Sequence, residues 1–99
     1  MKPFADRYAE DARLVMLKEL GLQIDGRLNE VSLKRVLAAF AVTRSRDWVR
    51  NELAAMAELG AVTLSEAGTV MIAKITKAGR EHLELERRII GIAQPSDDS

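Results

Sequence analysis

Within this 99-residue sequence, Arg44, Arg46, Arg50 and Asn51 form the densest group of side chains able to do chemistry. An arginine guanidinium is a planar fork of donors that matches a phosphate or the edge of a guanine, and an asparagine amide matches adenine in the same bidentate way. Arg46 and Arg50 are four residues apart, which on a helix places them on one face. Lys34 and Arg35 lie upstream, and Ser45 stands between Arg44 and Arg46. The chemistry expected of this set is polyanion recognition. Arg46, Arg50 and Asn51 are the candidates for reading base edges, while Lys34, Arg35, Arg44 and Ser45 suit contacts to phosphate. The plain alternative is a solvated helix face whose arginines pair with Asp47 and Glu52.

Other chemistries find little material. The chain has no cysteine, so disulfides, thiolate nucleophiles and cysteine-based metal sites are excluded. His82 is the single histidine, and transition-metal sites gather several histidine or cysteine ligands. No metal or cofactor is therefore expected. The carboxylates Asp6, Glu10 and Asp11, and again Glu81, Glu84 and Glu86, fall at helical spacing beside basic residues and read as solvated faces. There is no glycine-rich phosphate loop, nucleophile elbow or Cys–His pair, so an enzyme is not expected.

The net charge is zero, yet it is unevenly spread. Residues 26–50 carry six basic side chains against Glu30 and Asp47, and each remaining quarter of the chain is mildly acidic. One basic segment in an otherwise acidic chain is the electrostatic footprint of a nucleic-acid contact. The N-terminus lacks the apolar run of a signal peptide, and no apolar stretch is long enough to cross a bilayer. A cytoplasmic protein is expected.

The elements that must position these residues follow from periodicity. Tyr8, Ala12, Val15 and Met16 recur at helical spacing, predicting a first helix over about Ala5–Leu20 that stops at Gly21. Asp25-Gly26 is a turn signal, and Leu28 belongs to a very short strand at most. Asn29 is a natural N-cap for a second helix carrying Val31, Leu33, Val36, Leu37 and Phe40. Ser45 caps a third, over about Arg46–Leu59, whose apolar line Val49, Leu53 and Met56 ends at Gly60. After Gly60 the period changes to alternation, and two strands flank a turn at Ser65-Glu66-Ala67-Gly68. Thr76 caps a last helix through roughly Gly91. The fold class expected is α+β, mainly α, with one domain over residues 1–92 and a disordered polar tail over 93–99.

This order resembles the winged-helix superfamily, especially small repressors of the MarR and ArsR type. The resemblance covers about residues 10–85. It is carried by Leu59-Gly60-Ala61-Val62, where a helix passes through glycine into a strand, and by Ile75-Thr76-Lys77-Ala78-Gly79-Arg80-Glu81-His82-Leu83, a strand-to-helix exit. The segments Pro3-Phe4-Ala5-Asp6-Arg7-Tyr8 and Ser45-Arg46-Asp47-Trp48-Val49-Arg50 are further similar to small winged-helix proteins of Mu-like prophages. The resemblance implies three helices, a two-stranded wing and a C-terminal helix, with the third helix in the major groove of duplex DNA. It also implies a transcriptional regulator and a homodimer built by the terminal helices. The metal-sensing cysteines of ArsR repressors are absent here.

Three features temper that reading. The expected wing tip, Ser65 to Thr69, carries Glu66 and no base. Trp48 is expected to pack at the core rim, against the second helix or the wing, rather than on DNA. Leu83, Leu85, Ile89 and Ile90 spread too widely for one buried stripe, so with Tyr8 they are the expected dimer contacts. The neutral charge, acidic wing and apolar last helix together favour the alternative, a protein-interaction or phage assembly module.

Overall fold

Residues 3–96 are described by a computed structural model of the protein, so Asp97 to Ser99 of the expected polar tail lie outside the described residues. The first helix, α1 (Phe4–Leu22), buries Ala12, Met16, Leu17 and Leu20 along one face. It runs past the stop expected at Gly21. A Cβ on Gly21 would lie 2.9 Å from Leu83 Cδ1, so this glycine serves a close helix approach rather than a helix end.

The three predicted caps form. The Asn29 side chain accepts from the Ser32 N–H at the start of α2 (Glu30–Ala39). Ser45 Oγ accepts from the Trp48 N–H at the start of α3 (Arg46–Glu58). Thr76 Oγ1 accepts from the Gly79 N–H at the start of α4 (Lys77–Leu83). Each satisfies a backbone donor that the first turn leaves without a partner.

Strand pairing departs from the two-stranded expectation. β1 (Arg27–Asn29), β2 (Val62–Ala67) and β3 (Val70–Ile75) form an antiparallel sheet in the order β1-β3-β2. Arg27 pairs with Lys74 and Asn29 with Ile72, so the segment before α2 becomes an edge strand. Three residues are too few to show alternation, which is why only Leu28 hinted at it. The hairpin turn is also tighter than expected. Ala67 pairs with Val70, leaving only Gly68-Thr69 between the strands, with Gly68 at φ 62°. Ser65, Glu66 and Ala67 belong to β2, not to the tip.

The last helix is much shorter than expected, ending at Leu83 rather than near Gly91. The Leu85 N–H donates to the His82 carbonyl and the Glu86 N–H to the Glu81 carbonyl, with Leu85 at φ 63°. That is a Schellman ending with leucine in the left-handed position. The chain beyond it returns to the core, where Ile89 and Ile92 are buried. His82, fully buried, anchors this return: its Nδ1 accepts from the Ile89 N–H at 3.1 Å and its Nε2 donates to the Ala93 carbonyl at 2.9 Å.

The molecule is thus α+β, with four helices and a three-stranded antiparallel sheet, about half of it helical. Its aliphatic core joins Met16, Leu17 and Leu20 to Leu33, Leu37, Leu53 and Met56, closed by Val62, Ala73 and Ile75 of the sheet. Among the described residues no helix is long and apolar enough to cross a membrane.

Candidate nucleic-acid interface

Arg46 and Arg50 sit on one face of α3, as their spacing requires, and both turn inward to the same carboxylate. Glu30, the first residue of α2, is completely buried. Its Oε1 accepts from Arg46 Nε at 2.8 Å, and its Oε2 accepts from Arg50 Nη1 at 2.7 Å and from Arg46 Nη2 at 3.3 Å. The Met71 N–H donates to the same Oε2 at 2.6 Å. β1 ends opposite Ile72, so Met71, which pairs with Glu66 of β2, has no partner on its β1 side, and the Glu30 carboxylate takes that place. The sheet ladder is completed by a side chain.

The hydrogen bond from Arg46 holds the Glu30 carboxyl below its ordinary range, against the opposing effect of burial. The Met71 N–H and the charges of Arg46 and Arg50 act in the same direction as that bond. Glu30 in return raises the already high pKa of Arg46. A buried carboxylate is tolerated because four donors from three residues surround it.

The same two arginines reach the hairpin. The Thr69 carbonyl, at the hairpin turn, accepts from Arg46 Nη2 at 3.0 Å and from Arg50 Nη1 at 3.3 Å. Arg50 also lies 3.9 Å from Glu66 of β2. The pair chosen from sequence as base readers therefore ties α2, α3 and the hairpin into one unit. Arg46 keeps nearly half of its side chain exposed and Arg50 about a third; Arg46 commits its Nε and Nη2 donors to these contacts, and Arg50 commits its Nη1. The exposed face of α3 is left to Asp47, Asn51, Ala54 and Glu58, of which Asn51 alone belongs to the predicted site.

The predicted phosphate-contact residues are placed differently. Lys34 and Arg35 lie on α2, the first half-buried and the second exposed, and Arg44 lies in the connection to α3. None of them pairs with a carboxylate among the described residues, unlike Arg13, which pairs with Glu52, and Arg27, which pairs with Asp25. Ser45 uses its hydroxyl to cap α3. Arg44 has aromatic neighbours instead: its guanidinium carbon lies 4.9 Å from the Tyr8 ring centre and 5.2 Å from that of Trp48. Trp48 is partly buried at the rim of the core, where its ring meets Tyr8 of α1 edge-on.

The five expected dimer contacts do not form one surface. Tyr8 belongs to the aromatic group around Arg44. Ile89 is consumed by the core of its own chain, and Leu83 packs partly against that core. Leu85 and Ile90 remain exposed, joined by Leu22 and Ile24, which sequence reasoning did not single out. Leu22 and Leu83 share a cleft between α1 and α4 with Lys18, Gly21, Arg80 and Glu84.

Glu30 is the central residue that sequence reasoning missed. An acid just after an N-cap is an ordinary helix-dipole feature. Its partners stand 16, 20 and 41 residues away, beyond any local pattern. Among the described residues, no group of three or more His, Asp or Glu side chains is gathered to hold a metal.

The chain is 31% identical over 90 residues to an uncharacterized protein, gp26, of Escherichia phage Mu, an alignment covering 91% of this chain and 93% of that protein. No protein-family model matches the chain, and no solved structure does.

Proposed function

The chain belongs to the family of the phage Mu protein gp26, and from that premise we propose that it is a winged-helix protein that binds duplex DNA as a transcriptional regulator in a prophage setting. One observation carries the reading: Lys34, Arg35 and Arg44 lie on and just beyond α2, next to α3, without a carboxylate partner among the described residues. A cation kept free of acids is available to exchange its counterions for phosphates, which is the main source of DNA affinity. The order α2, short connection, α3 and hairpin supports the winged-helix assignment.

The roles within the site shift from those read in the sequence. Lys34, Arg35 and Arg44 contact phosphates. Arg46 and Arg50 set the angle between α3 and the wing, and Asn51 is the side chain left to read a base edge. A single reader implies modest sequence discrimination over a larger electrostatic affinity. A homodimer would supply a second copy of the site, with Leu22, Leu85 and Ile90 as apolar contacts.

The test is fluorescence anisotropy of the purified protein against random and genomic duplexes over a salt series. The expected result is binding that weakens steeply with salt and persists on a subset of fragments. Absence of binding at low salt rejects the reading. A second reading, a protein-interaction or phage assembly module, is favoured by Asp47 and Glu58 on the outer face of α3 and by the exposed Glu66 of the wing. Capture of a stable protein partner through the α3 face, with no competition from DNA, would support it.

A further inference from the structure

Arg44 is unusual among the free cations of this surface because its side chain is already held. Its Nε donates to the Tyr8 hydroxyl at 3.3 Å, and its guanidinium lies over both the Tyr8 and Trp48 rings. The two rings meet edge-on with centres 5.9 Å apart, and Phe4 extends the row from Tyr8 at 6.0 Å. Cations favour the negative faces of aromatic rings. The bracket therefore fixes where the charge sits without neutralising it. With Nε engaged, the terminal Nη donors have no hydrogen-bond acceptor among the described residues.

A free arginine side chain loses rotamer freedom when it grips a ligand, and that loss weakens binding. An arginine ordered beforehand avoids most of it. An acidic partner would hold Arg44 equally well but would cancel its charge, whereas aromatic rings leave the charge intact. Pairs such as Arg13–Glu52 show the other arrangement in this same molecule.

We infer that Arg44 is a preorganised phosphodiester anchor, and that Tyr8 and Trp48 are positioning residues that aim its guanidinium at a DNA phosphate. The inference rests on the duplex-DNA reading above. It moves Tyr8 from a subunit contact to the nucleic-acid interface and makes the first turns of α1 part of that interface.

The test is a double-mutant cycle on duplex binding, read by anisotropy with a salt series and by emission of Trp48, the only tryptophan in the chain. Arg44→Ala is expected to lower affinity and reduce the salt slope by about one phosphate contact. Tyr8→Leu is expected to weaken binding by about three- to ten-fold, the scale of one immobilised side chain. Tyr8→Phe keeps the ring face but loses the hydroxyl that accepts from Arg44 Nε, so its affinity should fall between the parent protein and Tyr8→Leu. In the Arg44→Ala background, Tyr8→Leu should cost nothing further, because a positioning residue acts only through what it positions. Trp48 emission should change on duplex binding. Additive losses, an unchanged salt slope in Arg44→Ala, or silent Trp48 emission would overturn the inference while duplex binding stands. No duplex binding by the parent protein would overturn both.

Discussion

Glu30 shows how one residue redirects the reading of two others. Arg46 and Arg50 have the right type and spacing to grip bases, but a buried carboxylate attracts them more strongly than solvent does. Glu30→Ala leaves the Met71 N–H without its acceptor and two partly exposed arginines without their carboxylate, so it should destabilise the fold by roughly 1–3 kcal/mol. Arg46→Ala with Arg50→Ala should also lower stability, because Glu30 would then stay buried with only the Met71 N–H. Chemical denaturation of both variants checks this. The carboxyl of Glu30 lies below its ordinary value of 4.5 in the folded state, so its contribution is fully present above that pH. It is lost as pH falls through the lowered folded value, where the native carboxylate finally takes up its proton. Thermal melts from pH 6 to pH 2.5 should show a decline that Glu30→Gln flattens. An equal decline in the variant would show that other carboxylates, such as Asp25 held down by the Arg27 N–H, govern acid stability instead.

At the scale of elements, helix starts were legible and helix ends were not. Asn29, Ser45 and Thr76 act through their own side chains on donors three residues away, so residue type announces the start. Three helices end in the same Schellman geometry, at Ala41, Gly60 and Leu85. Only Gly60 announces it, since glycine enters the left-handed region freely. Ala41 and Leu85 are held there by the folded chain at a cost of about 1–2 kcal/mol each. Ala41→Gly is therefore expected to raise stability by about 0.5–1 kcal/mol, part of the relief being offset by the looser unfolded chain. Ala38→Gly, inside α2, should lower it by about 1 kcal/mol. Equilibrium denaturation of the two variants side by side makes the comparison, and a loss in both would mean that the ending at Ala41 is not strained. Gly79 illustrates the other use of glycine: a Cβ there would meet the Ala61 carbonyl at 2.4 Å, which explains the Thr-Lys-Ala-Gly exit from β3.

For the whole molecule, the decisive feature is the return of the chain after α4. Leu83, Leu85, Ile89 and Ile90 look alike in sequence, yet the turn at Leu85 sends Ile89 into the core and leaves Ile90 two-thirds exposed. His82, the Arg13 bond to the Gly91 carbonyl and the Ala93 bond to the Glu10 carbonyl hold this segment along α1. Leu22, Ile24, Leu85 and Ile90 are exposed apolar side chains, as are Phe4, Val31, Phe40 and Leu59. If the first four support the proposed homodimer, Leu22→Lys combined with Ile90→Lys should sediment as a monomer at concentrations where the parent protein is dimeric. A parent protein that is monomeric throughout would remove the dimer from the proposal.

What the sequence determined by itself was everything governed by near neighbours: the α+β class, the three N-caps, the apolar stripes of α1, α2 and α3, the hairpin, and the concentration of basic charge before Trp48. Periodicity and capping depend on residues one to four positions apart, so a linear reading contains them. Only the tertiary structure decided which charges are free. The partners of Glu30 converge from α3 and β3, the Arg44 bracket joins α1 to α3, and the third strand exists because β3 is there to receive it. Those outcomes depend on burial and on contacts between distant segments, and a buried carboxylate has the same letter as one in solvent.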